Sequence, residues 1–228
     1  MIFNKIKSNS ILSSVLVLNI ILVISVFFLY RPYSWPAGLE SLGCLVSIIF
    51  MASILLTVRI FKDKIINDLQ RRNVVLGLCF GLLWAIEISI NNFIHPGLPL
   101  RDYIDNLFWA LIALLILITA IHDSFKTNNF LSGVKAGFWS GLASGAIACF
   151  TALIIVVFGM KYLLSDPLNL KEWADIKAKE NSPGINVYFA YQTLAGAVMH
   201  LFVLGAIMGL LLGIIGGQTG KILHRIKR

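Results

Sequence analysis

Residues 133–145 read GVKAGFWSGLASG and residues 205–217 read GAIMGLLLGIIGG, so that a glycine recurs at every fourth position of each stretch. Residues four apart lie on nearly the same face of an α-helix. Glycine there lets a second helix approach closely, which favours pairing between helices in a membrane. Both stretches therefore predict helices that pack through glycine. The eight glycines are Gly133, Gly137, Gly141, Gly145, Gly205, Gly209, Gly213 and Gly217.

The composition is typical of a membrane protein. Of 228 residues, 58% are hydrophobic and only 13% are charged, whereas about a quarter of the residues of a soluble domain are charged. Several apolar runs reach the roughly 20 residues that a helix needs to cross a bilayer. We predict an all-α, polytopic fold, with residues 1–228 forming one transmembrane domain of six helices. The predicted spans cover about 11–30, 39–61, 74–94, 103–121, 131–164 and 186–217.

The positions of the basic residues predict the orientation. If the N-terminus is cytoplasmic, thirteen of the nineteen lysines and arginines fall on the cytoplasmic side. The positive-inside rule then places both termini in the cytoplasm. We expect the protein in the plasma (inner) membrane. The net charge of +8 is explained by this asymmetry and by contact with anionic lipid headgroups. Nucleic-acid binding is not predicted, because no soluble segment carries a basic stripe with interleaved aromatic residues.

The two glycine stretches fall at the same depth in this topology. An antiparallel pairing of the fifth and sixth spans opposes Gly133 to Gly217 and Gly145 to Gly205, with the other glycines matched between them. We predict a hairpin within one chain, while pairing between two chains stays open. Gly77 and Gly81 form a smaller version in the third span, which predicts an inner-leaflet core of the third, fifth and sixth spans.

The loop over about 161–186 is the longest outer segment. Asp166 and Pro167 are suited to a helix start, and Ser182-Pro183-Gly184 is suited to a helix end. Trp173 lies between them. These residues predict a short helix at the membrane interface.

Glu87 is the best functional candidate in the chain. It lies about 20 Å into the third span at 1.5 Å per residue, where a carboxylate is costly unless it is paired, protonated or hydrated. Asn91 follows one turn later. The alternative is a protonated Glu87 that only bonds a neighbouring helix, with Asp102 and Asp105 acting as caps of the fourth span.

His200 of the sixth span is the natural partner to consider for Glu87, because the two residues fall at similar depth. If they meet, the pair could relay protons. If they do not, His200 is expected to bond a backbone carbonyl or a hydroxyl. The candidate intramembrane polar site is therefore Glu87, Asn91 and His200.

No catalytic residues, metal site or cofactor are predicted. The chain lacks the sequence motifs of zinc proteases and of phosphate-binding loops. Ser144 and His200 superficially resemble the serine and histidine of a rhomboid protease, but Ser144 lies about 9 Å deeper at the helical rise. A nucleophile and its base must come within about 3 Å.

These features favour a non-catalytic membrane component, either an accessory subunit or a scaffold. Its expected partners are the lipid bilayer and a membrane protein or a second copy of the chain. The alternative is a small permease or proton-linked transporter that uses Glu87.

Overall fold

The computed structural model describes residues 8–30, 39–60, 68–177 and 184–227. The ordered elements within these ranges are all helical. They are α1 (Ser8–Leu29), α2 (Leu39–Ile60), α3 (Asp68–Ser89), a π-helical segment π1 (Ile90–Ile94), α4 (Leu100–Thr127), α5 (Phe130–Ser165), α6 (Pro167–Lys177), α7 (Ile185–Met199), a second π-helical segment π2 (His200–Ile207) and α8 (Met208–Ile226).

Among the described residues, five helices are long and apolar enough to cross a membrane. They are Ile11–Leu29, Arg71–Ile94, Leu100–Thr127, Phe130–Ser165 and Ile185–Ile226, the last of which combines α7, π2 and α8. In α2, the apolar part within the described side chains is Val46–Leu56, which is shorter than a span. The sixth span therefore stays a prediction.

Helix α5 forms the centre of the molecule. It packs against α1, α3, α4, α7 and α8. Its small residues allow this, because glycine, alanine and serine let several neighbouring backbones approach one helix. The helix begins after Asn129, whose side chain accepts a hydrogen bond from the Leu131 amide at 2.9 Å.

The glycines of α5 lie against those of π2 and α8. A β-carbon built on Gly137 would lie 2.5 Å from the α-carbon of Gly213, and one on Gly141 would lie 2.8 Å from the α-carbon of Gly209. The end pairs, Gly133 with Gly217 and Gly145 with Gly205, are also adjacent. Contact distances this short leave almost no space for a β-carbon, so a larger residue at these positions would force the two backbones to shift.

Helix α4 belongs to the same core. On α8, a β-carbon on Gly216 would lie 2.7 Å from the Ala120 side chain, and Gly220 faces Ile121 and Ser124. Ser124 also donates a hydrogen bond of 2.6 Å to the Gly217 carbonyl. The predicted core of the third, fifth and sixth spans therefore lacks one helix, α4. Helix α8 packs through small residues on two faces, one against α5 and one against α4.

The third span packs on α5 through its own glycines. A β-carbon on Gly81 would lie 2.5 Å from the Ile147 side chain, and Gly77 abuts the Ser140 backbone. On the same helix, Trp84, Ile88 and Asn91 are buried. This face of the third span is turned toward protein, and it carries the polar residues of the candidate site.

Candidate functional site

Asn91 joins two carboxyl groups. Its Nδ2 donates hydrogen bonds of 2.7 Å to Glu87 Oε1 and of 2.7 Å to Asp105 Oδ1. Glu87 and Asn91 are 5% and 6% exposed, whereas Asp105 is partly exposed. The two acids lie on different helices, so the amide of Asn91 connects α3 to α4 through one nitrogen.

Local helix geometry produces this arrangement. Glu87 and Asn91 are four residues apart and therefore share one face of the third span. Asn91 lies in π1, which ends at His95 in the left-handed conformation with φ of 53°. Segments of π-helix occur frequently at functional sites.

Asp105 is placed differently from its predicted role as a cap. The residue preceding α4 is Pro99, which makes no side-chain capping bond, and the acidic residue of the first turn is Asp102. Asp105 comes one turn later, and its carboxylate accepts from Asn91. The cap interpretation of Asp105 was wrong, because the chain enters α4 earlier than the hydropathy pattern indicates.

His200 does not form a hydrogen bond with Glu87 in the described part of the chain. Its Nδ1 lies 2.8 Å from the Gly196 carbonyl of its own helix, which is the backbone alternative predicted from the sequence. The imidazole instead packs edge-on against Trp84, with ring centroids 4.8 Å apart, and lies 6.5 Å from the Trp109 ring. His200 thus belongs to an aromatic layer with Trp84 and Trp109, between α3 and α4.

A second polar group surrounds the N-terminal end of α4. Arg101 donates to Asp166 Oδ2 at 2.8 Å, and His95 Nδ1 lies 3.7 Å from the same oxygen. Asp166 is 2% exposed and also accepts from the Leu168 amide at 2.9 Å, which caps α6. The predicted helix start at Asp166 and Pro167 is therefore also the point where α6 is held to α4.

The other end of the α3 and α4 pair has a polar cluster that sequence reasoning missed. Asn73 Nδ2 donates to Asp123 Oδ2 at 2.6 Å, and Arg72 forms an ion pair with Asp123 Oδ1. The Asp123 side chain is fully buried, whereas that of Arg72 is 39% exposed. A signal was present: Asn73 and Asn91 are 18 residues apart, as are Asp105 and Asp123.

Several buried polar atoms in the two clusters have no hydrogen-bond partner. They include Glu87 Oε2 and the Oδ1 atoms of Asn73 and Asn91. Since such atoms cost free energy in an apolar interior, each one in a folded protein calls for a water, a proton or a change of conformation.

The described residues show no arrangement for metal or nucleophilic catalysis. Within these ranges, no group of three or more His, Cys, Asp or Glu side chains is placed to hold a metal ion. The Ser144 hydroxyl is buried without a hydrogen-bond partner, and His200 is engaged with Gly196. What the site offers chemically is two carboxyl groups that share one amide donor.

No protein-family model, curated protein or solved structure matches this chain.

Proposed function

We propose that the chain is a small proton-linked permease in which Glu87 and Asp105 hold the coupling proton. The observation that carries the proposal is the shared donor: one Asn91 nitrogen bonds both carboxyl groups at 2.7 Å. Two ionised carboxylates held this close in an apolar interior repel each other strongly, so a proton on one of them stabilises the pair. Intramembrane acids are the usual groups of proton relays in transporters.

The surroundings give the proton a route to one membrane face. Asp105 is partly exposed, while Glu87 is buried behind it. Arg101 and Asp105 both lie on α4, and Asp105 shares the Asn91 donor with Glu87. Asp105 therefore lies between the outer surface and the deeper groups, where it can pass a proton to Glu87.

The topology belongs to the same proposal. We propose that α2 is a sixth span, that both termini lie in the cytoplasm and that the protein lies in the plasma membrane. The supporting fact is that thirteen of nineteen basic residues then lie on the cytoplasmic side. The Glu87–Asn91–Asp105 cluster opens to the outside in this orientation. A reporter fused to residue 228 and read from the cytoplasm tests the orientation.

Carbodiimide labelling tests the proposed proton site. Dicyclohexylcarbodiimide is an apolar reagent that modifies protonated carboxyl groups, and mass spectrometry locates the adduct. In the full-length protein in liposomes, we expect modification at Glu87 or Asp105 that declines as the pH is raised. Glu87→Gln should lower it, whereas Asp102→Asn, at an exposed acid of the same turn region, should leave it unchanged. An adduct yield unaffected by either Glu87→Gln or Asp105→Asn would contradict the proposal.

A scaffold or accessory component is the second candidate, and the glycine contacts favour it. From Gly145 and Gly205 to Gly133 and Gly217, the backbones of α5 and α8 touch. No solute could pass between these two helices in that half of the molecule. A scaffold requires a dry Glu87 bonded permanently to Asn91, so an adduct yield that is constant with pH would favour this function.

A further inference from the structure

The polar contacts between α3 and α4 occur as a matched pair. At one end Asn91 donates to Asp105, and at the other Asn73 donates to Asp123. The partners are separated by 18 residues on each helix, which is five turns of an α-helix and about 27 Å. This is close to the roughly 30 Å thickness of the hydrocarbon core. We call these contacts the outer clasp, Asn91–Asp105, and the inner clasp, Asn73–Asp123.

Between the clasps, a group of aromatic rings joins α3 to α4. Trp84 of α3 and Trp109 of α4 have ring centroids 5.8 Å apart, and His200 packs against both. A layer of packed rings can part by rotation of side chains, since it contains no directional bond that must break. The clasps are thus the bonds that fix α3 to α4 at the two membrane faces.

Both clasps are incompletely bonded. Asn73 and Asn91 are each less than a tenth exposed. Their Oδ1 atoms are buried and accept no hydrogen bond. A contact that serves only stability is expected to satisfy such atoms, because each orphan acceptor costs free energy. An acceptor that gains water when the helices part would recover that free energy, so incomplete bonding favours opening.

We propose that the outer and inner clasps are alternating gates, and that the structure, with both closed, is the occluded state between them. This inference rests on the proposed proton-linked transport, because Glu87 shares its donor Asn91 with the outer clasp. Uptake of a second proton by the pair, on Asp105, replaces the charged acceptor of Asn91 with a neutral carboxyl, which weakens the outer clasp and releases the outer gate. The inner gate is held by Arg72 as well as Asn73, and the His122 Nδ1 lies 3.2 Å from the same Asp123 carboxylate. Opening of the inner gate therefore requires loss of an ion pair.

Cysteine accessibility tests the gates in the full-length protein. The reporters are Ile88→Cys and Thr119→Cys, two buried positions between the clasps, near the outer and the inner one respectively. Cys44, Cys79 and Cys149 are first replaced by alanine. A membrane-impermeant maleimide is added to liposomes from one side at a time. Asp123→Asn and Asp105→Asn weaken the inner and the outer clasp.

Alternation predicts reciprocal changes at fixed pH. Asp123→Asn should raise labelling of Thr119→Cys from the inner side by about tenfold, the effect expected for loss of a hydrogen bond to a charged group, and should lower labelling of Ile88→Cys from the outer side. Asp105→Asn should do the converse. Should an aspartate variant not fold, Asn73→Ala or Asn91→Ala breaks the same clasp from α3.

Two results would overturn the gating proposal: a variant that opens its own end without protecting the other, or one that changes neither. The proton site is read separately, from the pH dependence of carbodiimide modification. If the carbodiimide modification depends on pH but the labelling is not reciprocal, the permease proposal stands and the gating proposal is contradicted. If the labelling is reciprocal but the modification does not depend on pH, the gating proposal stands and the proton site is contradicted.

Discussion

Asp105 and Asp123 lie 18 residues apart on α4, and each accepts a hydrogen bond from an asparagine of the third span, Asn91 of π1 or Asn73 of α3. The two aspartates differ in their surroundings. Asp105 shares its donor with Glu87 and is partly exposed, whereas Asp123 is fully buried and paired with Arg72. The proposed proton site therefore lies at the Asp105 end of the pair, whereas at the other end the Asp123 carboxylate faces Arg72 and the His122 imidazole.

The glycine contacts give a sharp stability prediction. Gly137→Ala places a methyl group 2.5 Å from the α-carbon of Gly213, so the helices must separate. We expect a loss of about 1–3 kcal/mol, as for overpacked cores, seen as a lower thermal midpoint in detergent.

Gly196→Ala is the matched control for that substitution. Gly196 is also helical, but a β-carbon there meets nothing within 4 Å. Alanine should raise stability by up to about 1 kcal/mol, the difference in helix propensity. If Gly137→Ala loses no stability relative to Gly196→Ala, the α5–α8 contact is looser than it is in the structure.

Ser124 tests the contact between α4 and α8. Its hydroxyl donates to the Gly217 carbonyl across the interface at 2.6 Å, so Ser124→Ala should cost about 1 kcal/mol of stability. Ser25→Ala serves as the reference, because Ser25 bonds only Ile21 of its own helix. The thermal midpoints should fall for Ser124→Ala and stay within error for Ser25→Ala. A larger fall in the thermal midpoint for Ser25→Ala than for Ser124→Ala would show that α8 does not pack on α4 in this register.

Asp166 should hold α6 to α4. Asp166→Asn keeps the cap of α6 but weakens the bond to Arg101, which is 2.8 Å away. We expect a loss of about 1.5–3 kcal/mol, the value of a hydrogen bond between charged groups. Asp175→Asn, at an exposed acid on α6, should have little effect. Chemical denaturation in detergent compares the two variants, and equal stabilities would contradict the link.

The sequence predicted much of the helical framework because hydropathy and glycine spacing are local signals. The pairing of Gly137 with Gly213 could be read from depth alone, and the structure brings these residues together. The second face of α8 was not anticipated, since Gly216 and Gly220 lie outside the strict four-residue repeat. Their partners on α4 become visible only when the two helices are packed.

The polar site was predicted only in part, for a related reason. Burial cost identified Glu87, and spacing along one helix identified Asn91. The bonds of Asp105 and Asp123 to the third span were not predicted, because the shared 18-residue spacing is visible in the sequence but does not show which faces of the two helices meet. His200 was placed at the correct depth, but the direction of its side chain is set by the Trp84 and Trp109 rings.

Infrared spectroscopy of the full-length protein in lipid tests the central claim, that Glu87 and Asp105 hold an exchangeable proton. We expect a protonated-carboxyl band that disappears as the pH is raised, shifts in D₂O and is lost in Glu87→Gln but not in Asp102→Asn. A spectrum without such a band, or a band that neither titrates nor exchanges with D₂O, would contradict it.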